Sequence, residues 1–166
     1  MSLRLYNRSV CKIRKYRHDD FENAYKLDVK CFEPGIAYTR PELRFYLQHP
    51  YSISLVAEME KRFSGFLVAK RERAGVCHLI TIELASEDRK KGIGTKLIES
   101  LEAELKALKC IALVLEVAVD NAAALRFYSR HGFSVQKTIP RYYLNRIDAL
   151  QMMKPIADGA GKKASQ

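Results

Sequence analysis

The stretch Val76-Cys77-His78-Leu79-Ile80-Thr81-Ile82-Glu83-Leu84-Ala85-Ser86-Glu87-Asp88-Arg89-Lys90-Lys91-Gly92-Ile93-Gly94-Thr95 reads as a strand, a glycine turn and the start of a helix. That combination makes an anion site. The N–H groups of the first helical turn have no partner inside the helix and point outward, and the helix dipole favours negative charge there. Glycine lets a phosphate approach the backbone closely. Arg89, Lys90 and Lys91 add positive charge. Two nucleotide motifs are excluded. A Walker loop requires a different glycine spacing followed by Lys-Ser/Thr, and a dinucleotide fingerprint requires a third glycine where Leu97 stands. Taken alone, residues 89–94 also fit an ordinary helix N-terminus with solvated lysines.

Outward from this turn the chain alternates between two periods. Gly92 to Leu108 is an amphipathic helix, with Ile93, Leu97, Ile98, Leu101, Leu105 and Leu108 on one stripe. Cys110 to Val119 is a β-branched run with the character of a central strand. Ala122 to His131 is a second helix, closed by Gly132 as its C′ residue. Phe133 to Ile139 and Asp148 to Pro155 are the last two strands. Upstream, Ser52 to Met59 and Phe63 to Lys70 form a hairpin around a charged turn. Val10 to Tyr16 is a first strand, and a helix capped by Asp19 or Asp20 runs to about Cys31. The Pro34-Gly35 pair breaks the chain into a loop. Thr39 and Glu42 then make a capping box, with Pro41 in the first turn of a helix ending near Gln48. The order is strand, two helices, three strands, helix, strand, helix, two strands. It predicts one α/β (α+β) domain over residues 1–156, with a mixed sheet of about seven strands and about four helices.

Composition narrows the class. The chain has 166 residues, enough for one self-sufficient core, and is 48% hydrophobic. No apolar run is long enough to cross a bilayer, and Met1–Asn7 lacks the apolar region of a signal peptide. The expected location is therefore cytoplasmic. Residues 157–166 are small, polar and basic, and read as a flexible tail. Cys11, Cys31, Cys77 and Cys110 form no Cys-x-x-Cys pair, so they read as reduced, mostly buried thiols and no metal is expected. The formal net charge of +10 favours an anionic partner, whether a phosphorylated cofactor, a nucleic acid or the ribosome. No clusters of aromatic and basic residues mark an RNA-binding sheet, and no specific DNA binding is expected.

Arg89-x-x-Gly92-x-Gly94 resembles the phosphate motif of the GNAT superfamily of N-acetyltransferases. A second block resembles the same family: Leu115-Glu116-Val117, Asp120-Asn121-Ala122-Ala123-Ala124-Leu125-Arg126-Phe127-Tyr128 and Gly132-Phe133. The match is closest to the RimI-type and related N-terminal (α-amino) acetyltransferases, and Arg141-Tyr142-Tyr143 resembles the tyrosine pair of their late substrate loop. Ala118, Asp120 and Ile82-Glu83-Leu84 depart from the usual pattern. The resemblance implies a GNAT fold with a mixed, mostly antiparallel sheet, and acetyl-CoA as cofactor. It further implies that a primary amine, the N-terminal α-amine of a protein, is the acceptor; a ribosomal protein is one such acceptor. A lysine side chain or small-molecule amine is the alternative acceptor, and a non-catalytic RNA- or ribosome-binding module is the more distant reading.

Acetyl transfer needs an uncharged amine. An α-amino group has a pKa of about 7.7–8.0 against about 10.4 for lysine, so a modest general base suffices for a protein N-terminus. Glu116 is a lone acid in an apolar strand, where a carboxylate is costly unless it is paired or faces a cleft. It reads as the base or as the structural partner of a buried base. His78 is placed by strand alternation on one face with Ile80, Ile82 and Leu84, and reads as a co-base or a rim histidine. The resemblance assigns Tyr128 as the acid for the leaving thiolate, against a packing role. Asn121 reads as a helix cap and a pantetheine contact. The resemblance also implies pyrophosphate contacts from Arg89, Lys90, Lys91, Gly92, Ile93, Gly94 and Thr95, and pantetheine contacts from the backbone of Ile82 and Leu84. Phe32, Pro34, Tyr38, Tyr142 and Tyr143 are its candidate acceptor contacts, with core packing as the other reading. Glu83, on the face opposite Ile82, is a substrate or structural contact. His18, His49 and His131 read as surface or cap residues.

Overall fold

The computed structural model describes residues 10–156, so the tail read at 157–166 lies outside the described residues. Strand β1 (Cys11–Lys15) leads to helices α1 (Phe21–Cys31) and α2 (Arg40–Gln48). Three strands follow, β2 (Ser52–Met59), β3 (Arg62–Arg71) and β4 (Val76–Leu84). Then come α3 (Ile93–Ala107), β5 (Ala112–Ala118), α4 (Ala122–Arg130), β6 (Ser134–Tyr143) and β7 (Ile147–Pro155). The order matches the one read from the sequence.

The seven strands form one sheet in the order β1-β2-β3-β4-β5-β7-β6. Every pair is antiparallel except β4 with β5. Helices α3 and α4 cover one face, over a core that includes Leu55, Leu67, Leu97, Leu101, Leu113, Leu115 and Met152. Helices α1 and α2 cover the other, over Phe21, Leu27, Leu43, Leu47, Val56, Phe66 and Val68. Burying both faces of the sheet explains the nearly continuous apolar runs of β2, β3 and β5. Among the described residues no helix is long and apolar enough to cross a membrane.

Local signals act as the sequence predicts. Glu42 N–H donates to Thr39 Oγ1 (3.4 Å) and Thr39 N–H to Glu42 Oε2 (2.8 Å), completing the capping box of α2. Gly132 ends α4 with φ +86°, a conformation that favours glycine.

Two details differ. The sixth strand runs past Ile139 to Tyr143, so Arg141-Tyr142-Tyr143 end a strand and do not form a loop. The register is irregular between Ile139 and Tyr143, and Pro140 is tolerated because β6 lies at the sheet edge. The second difference is a bulge in β4. Ala69 pairs with Leu79 but Val68 pairs with Thr81, leaving Ile80 as an extra residue. The bulge inverts the strand's alternation. Cys77, Leu79, Ile82 and Leu84 therefore pack toward α3 and α4, while Ile80 packs with the α1–α2 core. His78 thus does not share a face with Ile82 and Leu84, as uninterrupted alternation would require.

Candidate active site

Strands β4 and β5 pair only over Val76–His78 and Ala112–Val114. Beyond that point they separate, and the gap holds two adjoining cavities of about 430 and about 590 Å³. The larger is walled by Leu79–Ile82 of β4 and Leu115–Ala118 of β5. Cys31, Phe32, Ile82, Asn121, Ala124 and Tyr128 border both cavities, so the two form one continuous cleft.

The edge of β4 facing this cleft carries free backbone groups. Ala85 N–H donates to Ser64 O (2.8 Å), which fixes the phase of the β3–β4 ladder. Alternation then turns the N–H groups of Leu84 and Ile82 away from β3 and into the cleft.

At one end of the cleft stands the N-terminus of α3. Gly92 caps the helix with φ +79°, and Gly94 is buried beside it. An added Cβ at Gly94 would meet the Phe127 ring at 3.1 Å, so the helix can lie close to α4 only with glycine there. By helix geometry, the N–H groups of Ile93, Gly94 and Thr95 have no partner within α3. The Ile93 side chain itself is core. Thr95 Oγ1 bonds His131 Nε2 (2.9 Å), while His131 Nδ1 bonds Phe127 O (2.7 Å). His131 thus caps α4 and ties it to α3.

Of the three basic residues before the turn, Arg89 lines the cleft. Its guanidinium donates to Leu84 O (3.3 Å) and Cys31 Sγ (3.5 Å). Lys91 is drawn to Asp88 instead (3.3 Å). Asp88, only 1% exposed, also accepts from Ser64 Oγ (2.7 Å) and Arg62 Nη2 (3.1 Å). Burial opposes its charge, but these three donors outweigh burial and hold the carboxyl below its ordinary pKa. Asp88 anchors the turn, a role that its position in Ser86-Glu87-Asp88 did not reveal.

At the other end of the cleft, Glu116 and His78 meet. His78 Nε2 and Glu116 Oε2 lie 2.5 Å apart. Gln151 Nε2 from β7 donates to Glu116 Oε1 (3.2 Å), and Tyr143 OH donates to the Glu116 backbone carbonyl (3.2 Å). Burial raises the Glu116 pKa, yet the hydrogen bond and charge of His78, helped by Gln151 and Lys137, bring it below the ordinary carboxylate value. Glu116 is therefore an ionised, oriented acceptor on the cleft wall. Gln151 was invisible in the sequence, because its contact depends on the β5–β7 register, which pairs it with Glu116.

Tyr128 borders both cavities, between the two ends. Burial, with Tyr143 and Glu83 adding to it, pushes its phenol pKa up, so the group keeps its proton. Asn121 Oδ1 accepts from Ala124 N–H (3.2 Å) and caps α4. Phe32, Tyr38 and Tyr143 line the larger cavity. Tyr142 is 48% exposed and stacks edge-on against Tyr143, and Pro34 is exposed. Neither Tyr142 nor Pro34 borders the cleft, and neither do Lys90, Gly92 and Thr95.

Residues 21–133 match the family described as the acetyltransferase (GNAT) family. The chain belongs to the GNAT family. An uncharacterized N-acetyltransferase of Methanocaldococcus jannaschii is 32% identical over 150 residues, which cover 90% of this chain and 94% of that protein. N-alpha-acetyltransferase 30 of Schizosaccharomyces pombe is 33% identical over 118 residues, covering 69% of this chain and 79% of its own. One chain of the NatC complex bound to Gag peptide and CoA superposes with a TM-score of 0.76 at 25% identity, covering 89% of this chain and 99% of that one. This GNAT chain is an N-acetyltransferase, and its sheet and four helices are those of the family.

Proposed function

We propose that this enzyme transfers acetyl from acetyl-CoA to the N-terminal α-amine of a protein by direct attack on the thioester. The observation that carries the reading is the cleft itself. It runs from an anion-binding helix N-terminus, past a protonated phenol, to an ionised carboxylate hydrogen-bonded to a histidine.

The residues fit the cofactor. The N–H groups of Ile93, Gly94 and Thr95, with Arg89, would hold the pyrophosphate. The N–H groups of Ile82 and Leu84, together with Asn121, would hold the pantetheine arm. Bound acetyl-CoA supplies the acetyl thioester. Glu116, alone or through His78, accepts a proton from the attacking amine as the new N–C bond forms. Tyr128 holds a proton available to the departing sulfur as the C–S bond breaks. A phenol of pKa near 10 or above is the weaker acid, so its proton moves late, as thiolate charge develops.

The α-amine is favoured over lysine on two grounds. Its deprotonation costs about 2.5 pKa units less, which suits a base whose own pKa is held low. The acceptor end of the cleft is also bordered by Phe32, Ile36, Tyr38, Tyr143 and Ile147, an apolar and aromatic surround suited to a first side chain. The relatives named as N-alpha-acetyltransferases support the same acceptor.

The test is CoA release from acetyl-CoA by the purified protein with peptides that vary in their first residue. A parallel set carries blocked N-termini and one internal lysine. Release is expected with free N-termini alone. Turnover confined to the blocked lysine peptides would overturn the α-amine reading.

A further inference from the structure

Two buried carboxylates stand beside the cleft, apart from the groups that face the reacting atoms. Glu83 of β4 is 3% exposed and Asp28 of α1 is fully buried. Glu83 Oε1 accepts from Thr81 Oγ1 (2.7 Å), and Asp28 Oδ2 accepts from Tyr38 N–H (2.7 Å). The other oxygens, Glu83 Oε2 and Asp28 Oδ1, are buried with no hydrogen-bond donor. The two carboxyls act on each other across the seam between α1 and β4, where Cys31 Sγ, one turn past Asp28, lies 4.0 Å from Leu84 O, next to Glu83. An ionised carboxylate has no hydrogen to donate, so the two orphaned oxygens can satisfy each other only when one carboxyl holds a proton. The groups acting on the pair, apart from each other, are Thr81, Tyr38 and Glu42, none of them a cation. Two uncompensated negative charges in contact in a dry site would repel strongly, so the pair carries one proton and one charge.

The pair's place gives it a role. Asp28 lies in the last turn of α1, where its carbonyl also accepts from Phe32 N–H (3.1 Å). Through Tyr38 it holds the far end of the same loop, just before the Thr39 cap of α2. One residue thus closes the loop that presents Phe32 and Tyr38 to the acceptor cavity. Glu83 sits between Ile82 and Leu84, whose N–H groups face the cleft. The bulge at Ile80 is what turns Glu83 toward α1.

We propose that Asp28 and Glu83 form a proton-sharing pair that positions the acceptor loop against the cofactor-facing edge of β4. The pair touches no reacting atom. Its role in catalysis rests on the acetyl-transfer reading, but its existence does not.

The first readout is infrared spectroscopy at neutral pH. The wild-type protein shows the carbonyl stretch of a buried, protonated carboxylic acid, and Glu83→Gln removes it, because the amide N–H then bonds an ionised Asp28. The second is steady-state kinetics. Glu83→Ala raises the KM for the peptide about tenfold or more while the acetyl-CoA Kd stays within about threefold. Glu83→Gln, which keeps the hydrogen bond, restores the KM to within about threefold of wild type. The third is amide hydrogen exchange at Tyr38, protected in the wild type and Glu83→Gln, and lost in Glu83→Ala. Absence of the infrared band, or its survival in Glu83→Gln, overturns the pair. A Glu83→Ala protein with unchanged peptide KM overturns its positioning role. If no peptide is acetylated by the wild type, the acetyl-transfer reading fails while the band and the Tyr38 exchange still decide the pair.

Discussion

His78 Nε2 and Glu116 Oε2 approach to 2.5 Å where β4 and β5 stop pairing. The last paired residue of β4 is His78 itself, and Glu116 lies two residues beyond its partner Val114. The same side-chain bond therefore closes the vertex of the cleft and presents an ionised carboxylate to it. Glu116→Gln keeps the size and the hydrogen bonds but removes the proton acceptor. It is expected to lower kcat for peptide acetylation by about 10²–10⁴-fold, with acetyl-CoA affinity unchanged. Single-turnover kinetics and calorimetric titration with acetyl-CoA separate the two quantities.

The same carboxylate makes stability depend on pH. Its pKa in the folded protein lies below the ordinary value of 4.5. Its stabilising contribution is therefore complete above about pH 4.5 and is lost as pH falls through the depressed folded value. Thermal melts from pH 7 to pH 3 should show a steeper acid loss for the wild type than for Glu116→Gln. Parallel curves would mean that the His78 contact does not stabilise the charged form.

Tyr128 keeps its proton because burial raises its pKa above the ordinary value of 10. Tyr128→Phe is expected to reduce kcat by about 10²-fold or more while leaving acetyl-CoA affinity nearly intact. A leaving group that needs no proton bypasses the defect. An acetyl thioester of a strongly acidic thiol should therefore be used almost equally by wild type and Tyr128→Phe, in a stopped-flow assay of thiol release.

Cys77 and Cys110 are buried with their sulfurs 2.6 Å apart, whereas Cys11 and Cys31 are half-buried. Burial, then the neighbouring thiol, pushes Cys77 up to about 12, leaving almost no thiolate near neutral pH. Iodoacetamide should label Cys11 and Cys31 in the native protein and leave the inner two until denaturant is added. Peptide mass mapping reads the order, and labelling of Cys77 as fast as Cys11 would contradict the packing.

Features whose cause is local were legible in the sequence. The Thr39–Glu42 capping box, the αL end of α4 at Gly132 and the glycine turn each depend on a few neighbouring residues. What the sequence hid depends on register. The bulge at Ile80 exists only because β3 pairs with β4 on both sides of it, and it reversed the face assigned to His78 relative to Ile82. The meeting of Gln151 with Glu116, and of Cys77 with Cys110, likewise comes from strand order. Asp28 did leave a signal. It falls with Phe21, Ala24 and Leu27 on the buried stripe of α1, where an acid has to find a partner. Pro34 and Tyr142 were placed by resemblance; neither lines the two cavities, although Tyr142 stacks on Tyr143, which does.

Gly92 separates backbone strain from electrostatics. Its φ of +79° is costly for any other residue, although an added Cβ would meet nothing within 4 Å. Gly92→Ala and Gly92→Glu should therefore lose a similar stability of about 1–2 kcal/mol, read from chemical denaturation. Their effects on acetyl-CoA should differ. Alanine adds no charge, so affinity falls only as far as the turn relaxes. Glutamate places a carboxylate near the proposed pyrophosphate, and two like charges about 4 Å apart repel by about 1–4 kcal/mol, a loss of about fivefold to several hundredfold in affinity. Raising salt should recover part of that loss for the glutamate variant and none for alanine. Equal affinities for the two variants would place the anion site elsewhere than the α3 N-terminus. Gly94 is the steric counterpart. There the Phe127 ring, 3.1 Å from an added Cβ, makes even Gly94→Ala disturb the contact between α3 and α4, and with it the width of the cleft.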